Sequence, residues 1–244
     1  FEAAAIPEQR ILSSSTRLPP ASHVARVRAG DGIGQRVLLR LEGECRVEHA
    51  AHVEVQRQGA ELASLAALAP HNLPAEAIGY LFDSRYCPAD RLQPFVAEEF
   101  PGLSGGALVE AMRGWIADKF TYEPGSSHSD TTALDSFVDR RGVCRDYAHV
   151  LITMARAAAI PARYVSCFAP EVEPQDFHAV AEVFLADPAW PGRGIWQLVD
   201  ATGMADPART VKIGVGRDAA EVSFFTAFGE AAFGALEVSV QEIA

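Results

Sequence analysis

Residues 140–165 read "RRGVCRDYAHVLITMARAAAIPARYV", and their reading decides the fold. After the turn at Gly142, apolar residues recur three and four apart, which predicts a helix from about Cys144 that ends before Pro161. Cys144 then stands at the mouth of a helix. The first-turn N–H groups of a helix are unpaired and the positive end of its dipole lies there, a setting that favours thiolate over thiol. The same N–H groups can hold the oxyanion of a tetrahedral intermediate. Cys45, Cys87 and Cys167 lie in strand-like or loop segments without such surroundings and read as small hydrophobes.

A nucleophilic thiol needs a base, and the base needs an orienting partner. Beyond the helix, "ARYVSCF" (162–168), "HAVAEVFL" (178–185) and "GIWQLVDA" (194–201) are strand-like runs separated by Pro, Gly and Asp. A hairpin across "DPAWPGR" (187–193) would set Leu185 near Arg193, Glu182 near Trp196, and His178 beside Asp200. Directly opposed residues point to one face with Cβ atoms about 4.5–5.5 Å apart, close enough for a His–Asp hydrogen bond. Period two gives Val180, Glu182 and Phe184 the face of His178, and Trp196 and Leu198 that of Asp200. A bulge of one residue would break this register.

The other histidines read differently. His49 and His52, three apart in a strand-like run, point to opposite faces and make poor joint metal ligands. His149 lies well around the helix from Cys144 and reads as structural; His71 and His128 sit in turns and read as solvated. Asp146 reads as a first-turn helix stabiliser and Arg145 as a solvated or substrate-facing charge. Tyr122, in "KFTYEP", is either a side-chain donor to an oxyanion or an aromatic packed under the helix.

Around this segment the pattern is α+β. "RVLLRLEGECRVEHAAHVEVQRQ" (36–58) alternates apolar and polar residues and predicts a strand pair in a β-rich first part. "DRLQPFVAEEF", "SGGALVEAMRGWIADKFTYEPG" and "TTALDSFVDRRG" predict helices, the second capped by Ser104 and the third by Thr131 or Thr132. Turn chemistry in "APHNLP" sets an expected division into a β-rich domain, 1–80, and an α+β domain, 81–244. The tail "KIGVGRDAAEVSFFTAFGEAAFGALEVSV" predicts two more strands.

With 244 residues and 49% hydrophobic composition, the chain can bury a core for one large or two ordinary domains. Its 32 acidic against 21 basic residues give a net charge of −11, which opposes nucleic acid and anionic lipid. No run of about 18 apolar residues is present, so no membrane partner is expected. The cysteines are too scattered for a disulfide scaffold or a zinc site. The start "FEAAAIPEQR" lacks an initiator Met, which suggests a trimmed or fragmentary chain, and shows no signal-peptide pattern, so a reducing, cytoplasmic setting is expected. No motif fixes an oligomeric state.

At "GVCRDYAHVLITMARAAAIPARYVS", "FHAVAEVFL" and "WQLVDAT" the chain resembles the transglutaminase-like superfamily, in the family's order and with similar intervals. The resemblance covers roughly residues 85 to 205. It implies a papain-like transglutaminase core of helices packed on an antiparallel sheet, with Cys144 as nucleophile, His178 as general base and Asp200 as its orienter. It further implies acyl transfer through a thioester on a peptide or protein substrate, hydrolysis ahead of cross-linking. No cofactor or metal is expected, since no DxDxDG-type calcium loop occurs. The β-rich first part is similar to a domain found before bacterial members. One departure is Val180, where the family usually carries Trp. The rival expectation is a catalytically silent protein-binding module on the same fold, which would normally have lost a triad member.

Overall fold

The structure is a computed structural model, and it describes residues 1–57 and 59–243. The first part holds four strands: β1 (Gln9–Arg17), β2 (His23–Arg28), β3 (Gln35–Arg40) and β4 (Glu48–Val55). The two runs expected to pair are both strands, but not with each other. β3 closes a hairpin with β2, and β4 pairs antiparallel with β1. Alternation marks each strand, but the choice of partner is a long-range matter, and "RILSSSTR", with three serines in succession, carries little apolar signal of its own. Gln58, the expected end of the pair, lies outside the described residues.

A short helix, α1 (Ala75–Ile78), leads into the helical layer of α2 (Gln93–Glu99), α3 (Gly105–Lys119) and α4 (Ala133–Asp139). Ser104 takes the N-cap position of α3, but the helix ends at Lys119, so "TYEPG" is not helical as expected. Tyr122 instead falls in the two-residue strand β5 (Thr121–Tyr122). α4 starts with a reciprocal cap: the Asp135 N–H donates to Thr132 Oγ1 at 3.4 Å, and the Thr132 N–H to Asp135 Oδ2 at 2.8 Å. β5 pairs in parallel with β6 (Arg141–Gly142), immediately before α5 (Cys144–Ala157).

The remaining strands, β7 (Ala162–Phe168), β8 (His178–Ala186), β9 (Gly194–Val199) and β10 (Val211–Gly216), form one antiparallel sheet in the order β10-β7-β8-β9. Only one of the two tail strands forms. The central strand β8 is buried on both faces. Ala179, Ala181, Val183 and Leu185 join Val150, Leu151 and Met154 of α5 and Val109, Met112 and Ile116 of α3 in the main core. Val180 packs instead with Val165, Cys167, Leu198 and Val215. Burying such side chains is worth roughly 1.5–3 kcal/mol each, which holds α5 against β8.

The first part is tied to this sheet by polar contacts. Gln9 Nε2 donates to the Lys212 carbonyl at 2.8 Å, and its Oε1 accepts the Lys212 N–H at 2.9 Å. Lys212 Nζ lies 2.9 Å from Glu8 Oε1 and against Glu182, whose other oxygen takes Arg163 Nε at 2.7 Å. On the amino-terminal side of the expected division, Leu62, Leu65 and Leu68 pack against the buried clusters. Leu65 packs there, its carbonyl accepts the Gly106 N–H at 2.8 Å, and a Cβ at Gly106 would stand 1.6 Å from the Leu62 oxygen. Among the described residues no helix is long and apolar enough to cross a membrane.

Candidate active site

Cys144 is the first residue of α5, and the local sequence explains how it is held there. The Val143 backbone is extended, and its N–H donates to Asp146 Oδ2 at 2.8 Å. Asp146 Oδ1 accepts from Ser127 Oγ at 2.9 Å. Asp146 therefore satisfies the helix start, faces its positive dipole and binds the preceding loop in one step. Gly142 makes room for it: a Cβ there would lie 2.5 Å from the Asp146 Cβ. Arg145, expected to be solvated or substrate-facing, instead turns to that loop. Its guanidinium donates to Ser127 Oγ at 2.7 Å and to the His128 carbonyl, and lies 5.5 Å from the Tyr86 ring centroid.

His178 opens β8 and Asp200 follows the last residue of β9. Their strands pair as Glu182↔Leu198 and Phe184↔Trp196, a register two residues removed from the expected one, so that Val180 and not His178 would oppose Asp200. A shift of two keeps every side chain on its face, and the pair still meets on a diagonal. His178 Nε2 and Asp200 Oδ2 are 3.0 Å apart, with His178 only 2% exposed. Asp200 is fixed in turn by the Thr202 N–H at 2.8 Å, the Thr202 hydroxyl at 2.8 Å and the Ala205 N–H at 2.7 Å. Burial opposes its charge, but the hydrogen bonds from His178, Ala205 and Thr202 hold its carboxyl below the usual range. Thr202 and Ala205 did not emerge from the sequence reading, although "DAT" carries the signature of an Asx turn, in which a carboxylate takes the N–H two residues on.

With Nε2 on Asp200, Nδ1 is the nitrogen of the imidazole left free to turn to Cys144. Burial pulls its pKa down, but the hydrogen bonds and charges of Asp200 and Cys144 outweigh it and lift the value from 6.5 to about 9. That shift favours the protonated ring at neutral pH. Because the folded value lies above the unfolded one, its stabilisation is complete below about pH 6.5 and is lost as pH rises through about 9. The thermal midpoint should fall over that window in the wild type and fall less in His178→Gln. Equal slopes in the two proteins would contradict the assignment.

The parallel β5–β6 pair sets Tyr122 opposite Gly142, two residues before Cys144. Burial, and then the nearby Cys144 charge, push the Tyr122 phenol up to about 12, so it stays a neutral donor. The remaining thiols and imidazoles fall outside this arrangement. Cys87 and Cys167 are fully buried; burial pushes Cys87 up to about 12 and Cys167 well up. His149 is buried against Tyr86, with ring centroids 5.2 Å apart, and Nε2 accepts the Ala219 N–H at 3.2 Å. Burial lowers its pKa to about 3, which keeps it neutral. His71 and His128 are exposed.

Residues 96–201, which contain Tyr122, Cys144, His178 and Asp200, match the transglutaminase-like superfamily. A solved structure of a candidate cysteine protease from Cytophaga hutchinsonii is 32% identical, covers 95% of this chain and 79% of its own, and superposes with a TM-score of 0.84. The chain belongs to the transglutaminase-like superfamily. An uncharacterised protein of Mycobacterium leprae is 31% identical over 122 residues, 48% of this chain and 42% of that protein. An uncharacterised protein of Mycobacterium tuberculosis is 33% identical over 147 residues, 54% of this chain and 45% of that one. The match thus spans less than half the length of these two relatives.

Proposed function

We propose that this protein hydrolyses peptide or protein amide bonds by acyl transfer to Cys144. The observation that carries the reading is the buried His178–Asp200 pair, 3.0 Å apart, with Cys144 at the mouth of α5 near enough to raise the imidazole pKa. The sulfur attacks the amide carbonyl, and the carbon–nitrogen bond breaks as His178 gives its proton to the departing amine. Water then attacks the thioester, yields a proton to His178, and releases the acid with the sulfur restored. Asp200 holds the imidazole in one orientation and stabilises its charged form. The likeness to a candidate cysteine protease favours water over an amine as acceptor. The chemistry needs a reduced sulfur, so the proposed setting is a thiol-reducing one such as the cytoplasm.

The oxyanion is assigned to the Cys144 N–H and the Tyr122 hydroxyl. Tyr122→Phe removes one donor and should lower kcat by roughly 10²–10³-fold with KM little changed. An unchanged kcat would return Tyr122 to a packing role. The function itself is tested by mass spectrometry of a mixed peptide pool incubated with the wild type and with Cys144→Ala, with and without added amine. New chain ends that appear only with the wild type are expected. Adducts on glutamine without new ends would redirect the acceptor to an amine, and identical products from the two proteins would remove the enzymatic reading.

A further inference from the structure

The loop between β7 and β8 ends one residue before His178, and residues 224–242, which form no helix or strand, touch it at Phe224 and Val240. Three contacts hold them. Phe224 stacks on Phe177 with centroids 5.0 Å apart and planes 15° apart. Arg209, which also pairs with Glu171 of the loop, takes Glu242 Oε2 at 3.0 Å. Between these, the Gln175 side chain donates through Nε2 to the Val240 carbonyl at 2.6 Å and accepts the Val240 N–H on Oε1 at 2.6 Å.

That last contact is a form of backbone recognition. One primary amide supplies both bonds that a residue of a neighbouring antiparallel strand would supply, and it requires no particular side chain at the clasped residue. The segment leading to it is otherwise loosely held: Phe228 is 94% exposed and Phe233 58%. Few buried apolar contacts oppose its release.

We propose that Gln175, flanked by Phe177 and Arg209, is a binding strip for an extended peptide, and that residues 237–242 occupy it as an intramolecular stand-in. Gln175 holds the backbone of one residue, and Arg209 reads an acidic side chain two positions further on. A peptide bound there passes within three residues of His178, so the strip would select extended, acidic chains for the acyl-transfer site. That catalytic consequence rests on the proposed function; the binding does not.

The test uses the protein carrying Cys144→Ala, so that no turnover intrudes, and a dye-labelled, end-blocked peptide with the sequence of residues 237–242. Val240→Pro deletes the clasped N–H and should free the strip, raising peptide affinity in fluorescence polarisation by on the order of ten-fold over the parent. Val240→Ala keeps both backbone groups and should bind as the parent does. Adding Gln175→Ala to Val240→Pro should reverse the gain. Hydrogen exchange at the Val240 amide should accelerate in Gln175→Ala alone, which reports the clasp without any added peptide. Equal peptide affinity with and without Gln175, or an exchange rate unmoved by its loss, would overturn the proposal. Cys144-dependent amide cleavage alongside that result would leave the enzymatic reading standing, whereas Gln175-dependent binding without cleavage would remove only the enzymatic reading.

Discussion

Cys144→Ala is expected to reduce amide turnover to the uncatalysed background, and His178→Ala to slow it by about 10²–10⁴-fold. The two losses should not add. Once the sulfur is gone no thioester can form, and the imidazole has no proton to deliver that the reaction uses. Initial rates for the two single variants and the double variant on one peptide substrate check this. A double variant much slower than Cys144→Ala alone would mean that His178 acts in a separate reaction. Both side chains lie at ends of elements, so their loss should leave the α5–β8 core intact, and a far-ultraviolet spectrum like that of the wild type should confirm it.

Glu182→Ala should have the largest effect on stability, about 3–5 kcal/mol. Its carboxylate is fully buried on β8 and joins Lys212, also fully buried, to Arg163. Removal leaves two cations short of a partner where water does not reach. Arg163 keeps its contact with the Trp196 ring at 3.9 Å, and Lys212 keeps Glu8, but neither replaces a buried carboxylate. Urea denaturation followed by fluorescence gives the difference directly. A loss below about 1 kcal/mol would mean that the network is wetter than its burial indicates. Replacing Glu182, Arg163 and Lys212 together by apolar residues of similar volume should restore much of the loss.

Much of this could be read from the chain before any coordinates. The helix from Cys144 and the three strands after it are long and strongly periodic, and a period states which face each residue takes. For that reason the two-residue error in the β8–β9 register did not separate His178 from Asp200. The pairing of β3 with β2 was not legible, because alternation marks a strand without naming its neighbour. Nor was the turn of Arg145 toward Ser127 and His128, since it depends on a loop of polar residues with no period. The second tail strand failed for a related reason: the Val240 backbone finds its partners on a glutamine side chain rather than on a strand.

The central claim is that Cys144 owes its reactivity to His178, and alkylation tests it without knowledge of the substrate. The rate of iodoacetamide labelling at each cysteine, followed by peptide mass spectrometry from pH 6 to 8, has an internal reference in the exposed Cys45. At pH 6 to 7 Cys144 should label faster than Cys45 despite its partial burial, and His178→Ala should erase that advantage. Labelling of Cys144 no faster than Cys45, or an advantage that survives His178→Ala, would contradict the account.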